Sequence, residues 1–202
     1  TKSVRRGDLL KVNGGGARNI SRACSQRSCP PTLVLVSSLA AAGPSYGAEP
    51  RIETDHVNPV SHYGHSKRAG ELAVMECAVD VPTTIVRPSI VVGELDRDGF
   101  QWFRMIRKLG IHLTPGFTNH YYSMIHADDL ASALMLAAQT GERLTGSVED
   151  GAGIYFATCE EFITYADLGR VIGSSVGCAK TRVVHAPLGM IWGCFGGGSI
   201  VF

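Results

Sequence analysis

The sequence predicts an α/β protein built on a doubly wound parallel sheet, and three segments carry that prediction. Residues 32–36 form a short, continuous apolar run, residues 61–78 show a helical pattern, and residues 83–91 form a second apolar run rich in Val, Ile and Thr. Continuous apolar strands are typical of parallel sheets, because helices cover both faces of such sheets. A strand, a helix and a second strand in this order make the βαβ unit of a parallel sheet.

The other elements alternate in the same way along the chain. A helix is predicted over residues 4–27, weakened by the three adjacent glycines at 14–16, which cost on the order of 1 kcal/mol each relative to alanine. An amphipathic helix is predicted over residues 100–109, with its aromatic side chains in the core. The pattern then predicts a loop with a short strand over residues 110–127 and a helix over 128–139. A strand over 153–157, a helix over 166–176 and a strand over 181–185 follow.

Composition excludes several classes of protein. With 202 residues and a formal net charge of +1, the sequence lacks the basic surface expected of a nucleic-acid-binding protein. No apolar stretch reaches the roughly 18 to 20 residues that a bilayer-spanning helix needs. The six cysteines show neither Cys-x-x-Cys pairs nor His partners at metal-ligand spacing, which predicts reduced thiols, no metal site and a cytoplasmic protein.

The candidate reactive residues are a tyrosine and a lysine spaced four positions apart, Tyr63 and Lys67. If residues 61–78 are helical, both lie on one helix face, and the ammonium group lies near the phenol. A free tyrosine has a pKa of about 10, and a nearby cation lowers that pKa by favouring the phenolate. Ser38 is expected just past the end of the first strand, where open α/β sheets bind ligands, and can hydrogen-bond the same substrate oxygen. The pattern predicts proton transfer coupled to hydride transfer.

A Tyr-x-x-x-Lys pair also occurs by chance on exposed helix faces, so the flanking sequence decides between the two interpretations. Residues 34–43, 58–71 and 84–93 resemble, in order and spacing, the extended short-chain dehydrogenase/reductase family, which includes NAD-dependent epimerases and dehydratases. The resemblance covers roughly residues 9 to 190. It implies a Rossmann-like, doubly wound parallel sheet with a small C-terminal substrate-binding cap.

The resemblance also implies roles for individual residues. Ser38 aligns with the family's catalytic Ser/Thr, Tyr63 with its acid/base, and Lys67 with the lysine that also binds the nicotinamide ribose. Pro88 and Ser89 align with backbone that lies against the nicotinamide ring, so Tyr63, Lys67, Pro88 and Ser89 are the expected cofactor contacts. The cofactor is NAD or NADP, since the residue that reads the ribose 2′ position is not among the matching positions.

Three polar residues are given structural roles. Asn13 resembles the family's helix-bending asparagine, although a buried amide that satisfies nearby backbone is the preferred interpretation. Asp128 and Asp129 are interpreted as acidic caps of the helix at 128–139, at the positive end of its dipole.

One feature of the family is absent from the sequence. Family members begin with a strand, a Gly-x-x-Gly-x-x-Gly turn and a helix, which together hold the cofactor's pyrophosphate. The glycines at 14–16 do not replace that turn, because no apolar strand precedes them. We therefore expect a fragment that lacks the first strands. Residues 1–93 are expected to form a partial dinucleotide-binding domain. Residues 94–202 are expected to form mostly a substrate-binding region that is truncated at its C-terminus, with the helix at 128–139 returning to the first domain.

The expected activity is NAD(P)-dependent hydride transfer between nicotinamide and a secondary alcohol or ketone, although the fragment itself is expected to be inactive. Ala42 precedes Gly43 where many sugar-nucleotide enzymes of the family carry Tyr, which favours a small hydroxysteroid- or dihydroflavonol-like substrate. Nucleotide-sugar epimerases and dehydratases use the same step transiently and stay open as an alternative. A non-catalytic nucleotide-binding or subunit-interaction module also stays open, as does a homodimer.

Overall fold

A computed structural model describes residues 6–45, 49–117, 121–145 and 151–187. The helices within these ranges are α1 (Arg6–Leu9), α2 (Gly16–Ser25), α3 (Leu39–Ala42), α4 (His62–Met75), α5 (Arg97–Leu109), α6 (Ala127–Thr140) and α7 (Tyr165–Ser175). A π-helical segment, Leu10–Gly15, joins α1 to α2. The strands are β1 (Leu33–Val36), β2 (Thr83–Pro88), β3 (Ile90–Val92), β4 (Ile111–Pro115), β5 (Tyr121–Tyr122), β6 (Met124–His126), β7 (Ile154–Ala157), β8 (Ile163–Thr164) and β9 (Arg182–Ala186).

The centre of the fold is a three-stranded parallel sheet in the order β1-β2-β7. The α2 and α4 helices cover one face of this sheet, where Ala17 and Val74 pack with Ile85 of β2. The α6 helix covers the other face, where Leu130 packs with Val86. Helices on both faces explain why the strands are mostly apolar and buried, and they confirm the doubly wound α/β prediction. In the described part of the chain, β1 forms an edge of the sheet.

The later part of the chain forms three small strand pairs around a separate core cluster. The β3–β6 and β4–β9 pairs are parallel, and the β5–β8 pair is antiparallel. Ile106 of α5 packs there with Leu168 and Ile172 of α7. The division of the chain near residue 93 stays a prediction. No helix within the described ranges has the length and apolar character needed to cross a membrane.

Two predictions about the later elements were wrong in detail. The apolar run at 83–91 is two strands, because β2 ends at Pro88 and β3 pairs with β6 in a different sheet. The aromatics of α5 are only partly in the core: Phe100 is 60% and Phe103 40% exposed, whereas Trp102 packs against the cluster around the fully buried Ile106. The α5 helix is covered where it meets α7 and β4, and the rings of Phe100 and Phe103 lie largely outside that contact.

The N-terminal helix is continuous from Arg6 to Ser25 but widens to π-helical geometry over residues 10–15. The glycines there allow a close approach to α4. A Cβ at Gly14 would lie 3.2 Å from the Ala69 Cβ, and one at Gly70 would lie 2.9 Å from the Asn13 carbonyl oxygen. Tertiary packing thus explains glycines that helix propensity disfavours.

The acidic residues at the start of α6 are not its caps. The N-cap is His126, whose Nδ1 accepts a hydrogen bond from the Asp128 N–H at 3.3 Å. Asp128 and Asp129 follow in the first turn, where their negative charges still favour the positive end of the helix dipole.

Candidate active site

Ser38 and Tyr63 come together because two helix N-termini meet beyond the end of β1. The Ser38 side chain caps α3, and its Oγ accepts a hydrogen bond from the Ala40 N–H at 3.2 Å. Ser61 caps α4 in the same way, accepting from the Gly64 N–H at 3.0 Å. A Cβ at Gly64 would lie 2.2 Å from the Ala40 carbonyl oxygen, so only glycine allows this approach. Tyr63, in the first turn of α4, is thereby held beside Ser38.

Three side chains converge at this position. Tyr63 is half-buried and shares a side-chain hydrogen bond with Ser38. Lys67 lies one turn further along α4, with its Nζ 5.8 Å from the centroid of the Tyr63 ring. The same Nζ donates a hydrogen bond to the Val36 carbonyl oxygen at 3.1 Å, which ties the lysine to the end of β1. The structure brings Ser38, Tyr63 and Lys67 together, and their catalytic roles stay predictions.

The acidity of Tyr63 differs from the sequence-based expectation. Burial raises the pKa of Tyr63 above its usual value of 10.0, and the hydrogen bond from Ser38 offsets only part of that rise. Burial also lowers the pKa of Lys67, while the negative charge of Glu71 raises it. Desolvation therefore outweighs the phenolate-stabilising effect expected from the lysine in this structure.

Pro88 and Ser89 lie on the neighbouring strand at the same edge of the sheet. Since Val36 pairs with Val86, the positions of Ser38 and Pro88 follow side by side beyond the paired register. The Ser89 Oγ is buried and has no hydrogen-bond partner among the described residues. An unpaired buried hydroxyl is costly, and a polar group of a bound ligand would satisfy it.

Beneath these residues lies a buried ionic cluster that the sequence interpretation missed. The Glu71 carboxylate is fully buried and accepts hydrogen bonds from Arg87 Nε and Nη2, both at 2.8 Å. It also accepts one from Arg68 Nη1 at 2.9 Å and one from Ser37 Oγ at 2.5 Å. The signal was an arginine inside the apolar run at 83–91, because a charge buried in a strand needs a partner.

The π-helical segment contributes Asn13 to the surroundings of the site. Its Nδ2 donates a hydrogen bond to the Ser66 Oγ at 2.9 Å, and the Ser66 hydroxyl donates to the Tyr63 carbonyl oxygen at 2.7 Å. The preferred interpretation of Asn13, an amide satisfying backbone directly, was therefore wrong. Asn13 also lines a mostly apolar cavity of about 210 Å³ between α2, β1 and α4, which Lys67 borders.

The loop between α3 and α4 is held to the end of α3 by Arg51 and to the sheet edge by Glu53. Arg51 Nη1 donates to the Ala42 carbonyl oxygen at 2.8 Å, and its Nη2 donates to the His56 carbonyl oxygen. Glu53 Oε1 accepts from the Phe156 N–H of β7 at 2.8 Å. The Ala42 side chain is only 2% exposed. Ala42, on which the sequence-based preference for a steroid-like substrate rests, therefore presents almost no surface to a ligand.

The described residues contain no group of three or more His, Cys, Asp or Glu side chains suited to a metal ion. Cys24, Cys29, Cys77, Cys159 and Cys178 are free thiols in this part of the chain. Cys194 lies outside the described residues.

A family model and a curated relative match this chain over most of its length. The model of the NAD dependent epimerase/dehydratase family matches residues 1–148. The dTDP-4-keto-6-deoxy-D-glucose reductase of Streptomyces niveus is 29% identical over 186 residues, covering 91% of this chain and 59% of the reductase. The chain thus spans about 59% of the length of that relative.

Solved structures share the fold at lower identity. The dTDP-glucose 4,6-dehydratase of Bacillus anthracis, in complex with NAD, has a TM-score of 0.77 at 15% identity over 92% of this chain and 58% of its own. The UDP-glucose 4-epimerase of Thermotoga maritima, with UDP-glucose, has a TM-score of 0.75 at 18% identity over 91% of this chain and 59% of its own.

Proposed function

The chain belongs to the NAD dependent epimerase/dehydratase family, and from this premise we propose that it is part of an enzyme that transfers a hydride between NAD and a secondary alcohol or ketone. The observation that carries the proposal is the convergence of Ser38, Tyr63 and Lys67 at the end of β1. Membership agrees with the predicted resemblance to extended short-chain dehydrogenases/reductases.

The residues at the ends of β1 and β2 fit the nicotinamide end of the cofactor. Lys67 presents an ammonium there beside the Tyr63 ring, and Ser89 adds a buried hydroxyl that lacks a partner among the described residues. When bound, NAD supplies the group that accepts or donates the hydride. We assign Tyr63, Lys67, Pro88 and Ser89 to holding that end.

In this proposal each side chain of the site has a task in the proton transfer. In the oxidative direction the Tyr63 phenolate takes the proton of the substrate hydroxyl, and in reduction the phenol returns that proton to the substrate oxygen. Lys67 stabilises the phenolate through its charge, and the Ser38 hydroxyl orients the substrate oxygen.

For the substrate we propose a ketone or secondary alcohol on a nucleotide-linked sugar, ahead of a steroid-like compound. The 29% identical relative is a reductase of a keto-deoxy sugar nucleotide. The steroid-like preference rested on the sequence likeness around Ala42, a residue that is only 2% exposed and so offers a ligand almost no surface. Turnover assays with nucleotide sugars, keto-deoxy sugar nucleotides and steroid-like ketones test the choice. Activity on the steroid-like ketones alone would reject it, and activity on none would favour a non-catalytic module.

The pH dependence follows from the raised pKa of Tyr63. Since the phenolate is the base, we expect the oxidation rate to rise with pH into the alkaline range, and reduction to fall there as the phenol loses its proton. Ser38→Ala removes the hydrogen bond that lowers the pKa of Tyr63, so the oxidative limb should move to still higher pH. Initial rates of oxidation and reduction, measured against pH for the wild type and for Ser38→Ala, give this shift. The Ser45→Ala variant, whose hydroxyl bonds the loop at Glu49, is the matched control.

The 202-residue chain by itself is expected to bind NAD only weakly. Its sequence contains no Gly-x-x-Gly-x-x-Gly turn for the pyrophosphate. We expect binding no tighter than about millimolar, or ~4 kcal/mol, and no dehydrogenase activity. Calorimetric titration with NAD and NADP measures it, and micromolar binding of either would contradict the expectation.

A further inference from the structure

We propose that Glu71 is a positioning residue for the Ser38–Tyr63–Lys67 site, with Ser37 and Arg87 as the groups through which it acts. The inference rests on the proposed function, because it concerns how that site is held in place. Glu71 itself lies beneath the site and touches none of the reacting atoms.

The geometry connects every segment that carries a site residue. Ser37 directly precedes Ser38, Arg87 directly precedes Pro88, and Glu71 lies one helical turn after Lys67. The Glu71 carboxylate accepts hydrogen bonds from the Ser37 hydroxyl and from two N–H groups of Arg87. One buried carboxylate therefore fastens α4 to the ends of both β1 and β2.

The cluster is rigid for physical reasons. A carboxylate has about four acceptor positions, and all four are occupied when the Arg68 hydrogen bond is included. Glu71 is 0% and Arg87 1% exposed, so water does not compete for these bonds. The Arg87 guanidinium also lies 5.7 Å from the centroid of the Phe156 ring, which restrains it from the opposite strand. Charge-assisted, bidentate bonds of this kind fix orientation as well as distance.

The cluster also acts on Lys67 through charge. The negative charge of Glu71 raises the pKa of Lys67 against the effect of burial, and so keeps the ammonium protonated. On the elements packed against α4, the other charged residues whose side chains the structure describes are Arg87 of β2, which Glu71 pairs, and Asp8, Lys11, Arg18 and Arg22 of the N-terminal helix. Those four are exposed, and none of the ion pairs between described residues joins them to Lys67.

The first test replaces Glu71 with Gln in the full-length protein. A small displacement of reacting groups costs on the order of 10²-fold in rate, so we expect kcat to fall by about that factor. We also expect the alkaline rise of the oxidation rate to move to higher pH, because Lys67 loses its proton more readily and then no longer stabilises the Tyr63 phenolate. Glu76→Gln is the matched control: Glu76 caps the same helix but pairs only with the exposed Arg18. The Glu76→Gln variant should leave both kcat and the pH profile unchanged.

A readout that needs no turnover separates this inference from the proposed function. With ¹³C-methylated lysines, the Lys67 resonance is assigned by its loss in Lys67→Arg, and its pKa is titrated directly. Glu71→Gln should lower that pKa and Glu71→Asp should keep it. If the titration behaves so but no substrate turns over, the proposed reaction is wrong and the positioning role stands. An unchanged Lys67 pKa together with an unchanged kcat would overturn the positioning role.

A second variant covers the case in which Glu71→Gln does not fold. Ser37→Ala removes one of the four bonds to Glu71 without leaving a charge unpaired. We expect kcat to fall about tenfold, the rate equivalent of one hydrogen bond. The control is Ser21→Ala, a fully buried serine of α2 whose hydroxyl bonds the backbone carbonyls of Arg18 and Ala73 and not the Glu71 carboxylate. Equal kcat values for Ser37→Ala and wild type would reject the proposal.

Discussion

Tyr63→Phe should lower turnover by about 10²- to 10⁴-fold in the intact protein, which is the contribution typical of a positioned acid/base group. The change removes only the hydroxyl that bonds Ser38. The ring and its contact with Lys67 remain, so cofactor affinity should stay nearly unchanged. Steady-state kinetics and a cofactor titration on the same preparation measure both quantities. Retained turnover would exclude Tyr63 as the proton donor.

Lys67→Ala is the informative companion to that variant. The Lys67 side chain faces the Tyr63 ring and bonds the Val36 carbonyl oxygen. In the proposed function it serves both the phenolate and the cofactor, so turnover and cofactor affinity should fall together. A variant that lost turnover but kept full affinity would limit Lys67 to the proton-transfer role.

Arg87→Met should destabilise the folded protein by up to about 3–5 kcal/mol, the usual cost of removing one partner of a buried ion pair. Only the partly exposed Arg68 would then still offset the Glu71 charge. Arg87 is 1% and Glu71 0% exposed, so the remaining carboxylate cannot recover its hydration. Urea unfolding of both proteins gives the difference in the free energy of unfolding.

Two controls make that measurement specific. Arg18→Met breaks an ion pair to Glu76 whose partners are 48% and 54% exposed, and should cost only about 0–1 kcal/mol. Adding Glu71→Leu to Arg87→Met removes the incompletely paired carboxylate, leaves Arg68 at a position where its side chain is 16% exposed, and should recover part of the loss. If Arg87→Met cost no more than Arg18→Met, the buried pair would contribute far less to stability than its geometry indicates.

The sequence was sufficient for the local elements of the main sheet. The apolar run at 32–36 and the helical pattern at 61–78 appear as β1 and α4, because hydrophobic periodicity reflects burial directly. The spacing of Tyr63 and Lys67 placed them on adjacent turns of one helix, as helical geometry requires.

Features that depend on distant partners were not predictable in this way. Whether the rings of Phe100 and Phe103 are covered depends on where α7 packs, and periodicity does not report that. The break after Pro88 follows from the pairing of β3 with β6, more than 30 residues away in sequence. The bonds of Glu71 to Ser37 and Arg87 join residues 34 and 16 positions apart, so only the folded chain shows them.

The edge position of β1 has a consequence for how the 202-residue chain behaves in solution. In the described part, β1 has a strand neighbour only on the β2 side, and the apolar side chains of Val36, Ile20 and Val12 are exposed beside it. Backbone groups on such an edge can pair with a strand of another molecule. Such association would rest on backbone hydrogen bonds and apolar contacts. Because few charges are involved, added salt would not dissociate the assembled chains. Purified chains should therefore self-associate as their concentration rises.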